Sequence, residues 1–322
     1  MIKLVIVYQV DRDNLRIYYS LISVSGPIPP SIGKLSNLRS LKLSGGRLTD
    51  VIPNILGKLE KLVDVDLYSN SLEGEISEIL GYNMNVTHLD ISNKKIRGQL
   101  PQDIADMMPA LSTLHLGGNI ISGSIPNSLC KSNLNVIDLS RNKLSGKIPN
   151  CWDGRTSLKL INLSSNELYG TIPNSIGNIS SLHWLNLSNN SLQGELPLAL
   201  KKCTSLSLLD LSENQFSGHI PPWIGENLSS LQKLRIPKNM FNGSIPPQVC
   251  QLFNLTIFDF ADNNLTGSIP HCFGDHKGMI GGYAQDFWPW PDQGTKQVLK
   301  GIERDCTWNL QFLVNMDLFP KN

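Results

Sequence analysis

Leu158-Lys-Leu-Ile-Asn-Leu-Ser-Ser-Asn166-Glu-Leu-Tyr-Gly170-Thr-Ile-Pro173-Asn-Ser-Ile-Gly-Asn-Ile-Ser-Ser181 is the stretch that decides the architecture. Leu158, Ile161 and Leu163 alternate with Lys159, Asn162 and Ser164 as the two faces of a short strand do. Leu168, Ile172 and Ile176 complete an inward apolar set as the chain turns back. Gly170 supplies the tight bend, and Pro173 fixes φ in an extended segment on the outer side. The same unit recurs outward in both directions. Its Ile-Pro dipeptide, or a close variant, begins at 28, 52, 76, 100, 125, 148, 172, 196, 220, 245 and 269, so successive spacings stay between 23 and 25 residues. Such a beat predicts a solenoid, because one coil cannot bury its own apolar edge and must stack on its neighbours.

The position of Asn166 reads Asn also at 70, 119, 142, 190, 214, 239 and 263, with Gly46 and Lys94 as exceptions. A stacked column of amides can satisfy backbone groups that have no sheet partner. The expected fold is an α/β solenoid: a right-handed superhelix of about ten or eleven coils with a parallel sheet on its concave face, roughly 50 Å along that sheet.

The consensus L-x-x-L-x-L-x-x-N-x-L-x-G-x-I-P resembles the plant-specific class of leucine-rich repeats. Longer blocks resemble the plant receptor-like proteins of the Cf and ethylene-inducing-xylanase-receptor type. These are Leu139 to Trp152, Gly194 to Pro197, Lys202 to Asn214, Gly218 to Gly225 and Gly267 to Gly274. After Gly274 the beat stops, and it resumes at Leu313 to Leu318. In that family an irregular island interrupts the array and ends in a Lys-Gly motif, which Val298 to Asp305 fits. The expected organisation is therefore a degenerate segment over 1–24, leucine-rich repeats over 25–274, an island over 275–312, and the start of a further repeat over 313–322. The resemblance implies a ligand-recognising ectodomain at the extracellular side of the plasma membrane. It acts in immune or developmental signalling by binding a peptide or protein, carries no kinase, and works with receptor-kinase co-receptors. Family members carry more repeats, a transmembrane helix and a signal peptide; none is visible here, so the chain is expected to be an internal piece or truncated copy of such a protein. The alternative is a secreted inhibitor similar to polygalacturonase-inhibiting proteins, which share the repeat but have cysteine caps and no island.

Composition excludes several classes. The net charge of +1 over 322 residues, with both signs mixed along the chain, argues against a nucleic-acid or anionic-membrane surface held by bulk charge. The longest apolar run near the start, Leu4 to Tyr8, is far below the roughly 18 residues of a spanning helix. The six histidines fall on unrelated repeat positions, no nucleophile elbow, phosphate loop or paired-carboxylate arrangement stands apart from the repeat, and His271-Cys272-x-x-x-His276 is not a recognised zinc-ligand spacing. Neither catalysis nor a cofactor is expected.

Cys130 with Cys151, and Cys250 with Cys272, lie on the outer side of adjacent coils. Stacking brings such positions within disulfide reach, so two coil-to-coil disulfides are expected, against the alternative of four buried thiols. Cys203 is expected in the core. Sequons occur at Asn85, Asn162, Asn178, Asn186, Asn189, Asn227, Asn242, Asn254 and Asn264.

Binding residues are sought on the concave face. Its middle column reads Lys42, Asp66, Asp90, His115, Asp138, Asn162, Asn186, Asp210, Arg235 and Asp259. A solvated strand face accounts for most of it. Against that background stand Tyr68, His88 and His115 near the front, and the large aromatic Trp184. Lys233, Arg235 and Lys238 form a basic patch that cross-strand acids explain equally well. In the island, Tyr283, Trp288 and Trp290 are further candidates.

Overall fold

The computed structural model describes residues 8–11, 14–18, 25–79, 81, 85–274, 295–299, 302–306 and 315–317. Contacts divide the chain into two units, residues 1–169 and 170–322. Both are stacks of leucine-rich-repeat coils, each built around a parallel inner sheet.

In the first unit the hairpin Tyr8–Asp11/Asn14–Tyr18 is antiparallel, and its second strand pairs in parallel with Leu38–Lys42. A strand of the inner sheet therefore falls inside the segment 1–24. The parallel order continues through Asp64–Asp66, His88–Asp90, Thr113–His115, Val136–Asp138 and Leu160–Asn162. In the second unit it runs Trp184–Asn186, Leu208–Asp210, Lys233–Arg235, Ile257–Asp259 and Asn315–Asp317. Register never slips between these three-residue strands, because a shift of one residue would turn the buried Leu or Ile outward. Each unit carries a second parallel sheet just after the Asn column, such as Lys95–Gln99, Ile120–Gly123 and Lys143–Gly146 in the first. The outer side of each coil is a single turn, mostly 3-10, entered through an extended proline: Pro173 (φ −71°, ψ 144°) precedes Asn174–Asn178. Gly170 bends the chain at φ +87°, where a Cβ would be strained. Among the described residues no helix is long and apolar enough to cross a membrane.

The consensus leucines and isoleucines are the core. Leu168, Ile176, Ile179 and Leu182 have no exposed surface, and the same columns repeat through both units. The amide column forms a ladder between coils. Asn214 accepts from the Leu192 N–H of the preceding coil at 3.0 Å and donates to Leu187 O at 2.9 Å and Leu211 O at 3.1 Å. Asn70, Asn119, Asn142, Asn166, Asn239 and Asn263 make the same acceptor contact, at 3.0 to 3.1 Å. Lys94 breaks the pattern. Its ammonium donates to Leu67 O, the carbonyl of the preceding coil, so it copies the donating half of asparagine. Having no acceptor, it offers nothing to the Leu72 N–H. Lys94 is buried, and desolvation lowers its pKa from 10.5 to about 8.

Cys130 and Cys151 are joined across adjacent coils with Cα atoms 5.5 Å apart, and Cys250 and Cys272 likewise at 5.7 Å. Cys203 is a free thiol without exposed surface, lying 3.6 Å from Ile176 O, and burial pushes its pKa up to about 11. Beyond Gly274 the backbone shows an antiparallel hairpin, Thr295–Leu299 with Ile302–Cys306. The island candidates Tyr283, Trp288 and Trp290 lie outside the described residues.

Candidate functional site

Most of the middle column of the inner sheet has a structural task. A carboxylate or amide Oδ1 in this column accepts the backbone N–H two residues on, which closes the chain's turn out of the strand. Asp66 takes Tyr68 N at 3.0 Å, Asp90 takes Ser92 N at 2.9 Å, and Asp138 takes Ser140 N at 3.0 Å. Asn162, Asn186, Asp210 and Asp259 do the same for Ser164, Ser188, Ser212 and Ala261 at 3.0 to 3.3 Å. The residue after each capped amide then takes a positive φ, from Ser69 (52°) to Asp262 (53°). The acidic face is thus a row of turn caps.

Three coils abandon the task. Lys42, His115 and Arg235 supply no carboxylate or amide oxygen to the following turn. At Arg235 the reason is local, since the residue two positions on is Pro237, which has no N–H to satisfy. Arg235 instead bridges the Oδ2 atoms of Asp210 at 2.9 Å and Asp259 at 3.5 Å. Burial disfavours its charged form, yet the two flanking carboxylates hold its pKa above the ordinary value. Lys238 pairs with Glu213 at 3.0 Å, and Lys233 is buried. Arg235 and Lys238 of the basic patch are therefore engaged in charge pairing with adjacent coils.

At Lys42 and His115 a following N–H exists, at Ser44 and Gly117, and the residue after it is a glycine, Gly45 or Gly118, at φ +70°, where the capped coils carry other residues. Both residues belong to the first unit. Lys42 Nζ lies 2.7 Å from Asp64 Oδ2. His115 Nδ1 lies 3.8 Å from Asp138 Oδ2, and its ring meets that of His88 edge-on, with centroids 6.1 Å apart. Desolvation lowers the His88 pKa, opposed by Asp64 and reinforced by His115. Desolvation also raises the Asp66 carboxyl in the same neighbourhood. Tyr68, exposed, follows Asp66. Lys42, His88 and His115 thus stand on one face of the inner sheet of the first unit, with Tyr68 in the turn two residues past Asp66.

Trp184 stands in the second unit, in register with Leu208, and its half-buried ring presents an indole N–H that is itself buried with no hydrogen-bond partner among the described residues. An orphan buried donor is expensive.

The sequons separate by face. Asn162 is buried on the inner sheet, and Asn186 is half-buried there. Each accepts the hydroxyl of its own sequon serine at 2.8 Å. Asn178, Asn189, Asn242, Asn254 and Asn264 are exposed, and Asn227 is half-buried. Asn85 is exposed as well and donates to Glu60 O at 2.5 Å. Arg16 and Arg39 were not singled out from the sequence, although both stand beside Lys42 and His88. Arg16 lies in the segment without repeat consensus, where only its place in register with Ser40 gives it meaning.

Comparison with known proteins places these features. Leucine-rich-repeat family models match residues 109–168, and again 37–59, 181–203, 205–227 and 254–276. Over 58 residues the chain is 40% identical to the leucine-rich repeat receptor protein kinase MSP1 of Oryza sativa subsp. japonica, covering 17% of this chain and 4% of that protein. The crystal structure of PEPR1–AtPEP1 is similar with a TM-score of 0.68 and 35% identity, over 80% of this chain and 39% of that one. The Arabidopsis receptor kinase HAESA, solved with the peptide hormone IDA and the co-receptor SERK1, gives 0.66 and 33%, over 79% and 46%. The chain spans less than half the length of each of these proteins.

Proposed function

Because the chain is a leucine-rich-repeat protein of the plant receptor-like class, we propose that it is a ligand-recognising ectodomain whose inner sheet holds an extracellular peptide. The observation that carries this reading is the replacement of the column's acid or amide by Lys42 and His115. In both coils a glycine, Gly45 or Gly118, takes the positive φ that follows, and the departing side chains share the inner sheet with His88. Side chains freed from a repeat's structural task are where function is sought. In the second unit Trp184, a large aromatic on the inner sheet, is a separate candidate anchor of the kind that dominates interfaces. Two of the similar ectodomains have peptide ligands, and one has a co-receptor beside it, which supports the same roles here. On this reading the chain has no catalytic activity and no kinase. It lies outside the plasma membrane and reports binding in immune or developmental signalling through a partner receptor kinase.

The test is selection from a random peptide library on the secreted protein. Peptides enriched on the wild type should keep their affinity for Lys143→Glu on the second sheet, and lose roughly tenfold or more on His115→Asp or Trp184→Ala. Equal binding to all four proteins would overturn the assignment of the inner sheet.

A further inference from the structure

A cavity of about 410 Å³ opens on the inner sheet of the first unit, between the strands Asn14–Tyr18 and His88–Asp90. Its size suits a small molecule. Arg16, Ser40, Asp64 and His88 follow one another across it in strand register, with Arg39 and Lys42 beside them. Among the described residues Val63 is the one aliphatic residue in its lining, and the rest carry polar or charged ends. Three cations meet a single carboxylate, and Arg16 and Arg39 are exposed at the rim. A guanidinium carries five donors in a planar fork, enough to hold an oxyanion in addition to a protein partner.

The carboxylate is half used. Asp64 Oδ2 takes Lys42 Nζ at 2.7 Å and Ser40 Oγ at 3.3 Å. Its Oδ1 is buried and has no hydrogen-bond partner among the described residues. Leaving a carboxylate oxygen buried without a donor is costly, so the site asks for an O–H or N–H as well as for an anion. Arg16 and Asp64 stand two strands apart, roughly 10 Å between backbones, a gap that their side chains and a small ligand close together.

We propose that this cavity binds a small oxyanion carrying an adjacent hydroxyl or amino group, with the anion on Arg16 and Arg39 and the donor on Asp64 Oδ1. The shared chemistry fits a hydroxy- or amino-carboxylate and equally a phosphate monoester with a neighbouring donor. The site shares Lys42 and His88 with the proposed peptide face, but it does not depend on that reading, since small probes are tested with no peptide present.

Titration of the full chain with L-malate, succinate, O-phosphoserine and inorganic phosphate, followed by the arginine Nε–H resonances, tests it. Malate should bind more tightly than succinate, or O-phosphoserine more tightly than phosphate, and whichever pair responds identifies the anion. Arg39→Glu should weaken the responding probe by roughly tenfold or more, the loss of one charge-assisted contact. Arg39 is exposed, so the variant should keep its circular dichroism spectrum, and Arg39→Gln gives the same comparison without charge reversal. Asp64→Asn should retain anion binding and erase the preference for the probe with a donor. No response to any probe, or an unchanged response in both Arg39 variants, would overturn the site; a preference that survives Asp64→Asn would overturn the role of Oδ1.

Discussion

Replacing Lys94 by asparagine should make the first unit more stable, although it removes a large side chain from a buried position. In the wild type, burial lowers the lysine pKa from 10.5 to about 8, and at about 1.4 kcal/mol for each factor of ten this costs ~3 kcal/mol at neutral pH. Asparagine carries no charge and offers the Leu72 N–H the acceptor that lysine cannot supply, worth about 1 kcal/mol. Against this, three buried methylenes are lost, about 2.4 kcal/mol at most. The net gain is about 2 kcal/mol. The sign with pH follows from the lowered pKa. Below about pH 8 both folded and unfolded chains hold the proton, and the full cost of burying it is present. Between about 8 and 10.5 the unfolded chain binds more protons, so wild-type stability rises with pH as the cost disappears. Urea denaturation of both proteins from pH 7 to 10 measures it. The variant should start about 2 kcal/mol more stable and lose its advantage as pH rises. Parallel curves, or a variant less stable at pH 7, would refute the burial argument and the role assigned to the amide ladder.

Three further outcomes follow from the same structure. Arg235→Met should destabilise the second unit by about 3–5 kcal/mol, because it leaves Asp210 and Asp259 facing each other in a buried site; urea unfolding would show it. Alkylation of the native protein followed by intact-mass analysis should add nothing at Cys130, Cys151, Cys250, Cys272 or the buried Cys203, and Cys130→Ala should cost ~3 kcal/mol for a 21-residue loop. Glycopeptide mapping should find glycan on the exposed Asn178 and Asn254 and none on Asn162, whose amide holds both the backbone and the hydroxyl of Ser164.

What could be read from the sequence was whatever the stacking itself demands. Leu168, Ile172 and Ile176 recur because each coil must present the same apolar edge to the next, and Asn166 recurs because each coil leaves the same backbone groups bare. The cysteine pairs were legible for a related reason, since positions about one coil apart are neighbours in space. The middle column was not legible in the same way. Asp66 and Asp138 look like solvated strand residues in a list of letters, and only the geometry of the following turn shows that they are caps. Once that task is known, Arg235-Ile-Pro237 against Asp210-Leu-Ser212 can be read directly: the proline removes the N–H, and the acid becomes dispensable. At Lys42 and His115 the reason is a glycine, Gly45 or Gly118, at the positive-φ position, which frees the column's side chain for another role. Arg16 escaped notice because its segment carries none of the repeat consensus, yet backbone pairing with Leu38–Lys42 puts it on the sheet. The Asp64 Oδ1 vacancy is a matter of packing and bond direction, which no spacing of residues encodes.

Photo-crosslinking tests the central claim most directly. A photoreactive side chain is placed at His115 on the inner sheet, and in a second protein at Lys143 on the second sheet, and each is irradiated with a library-selected peptide. Peptide adducts from position 115 and none from position 143 are the predicted result. Adducts from 143 with none from 115 would contradict the assignment of the inner sheet as the ligand face.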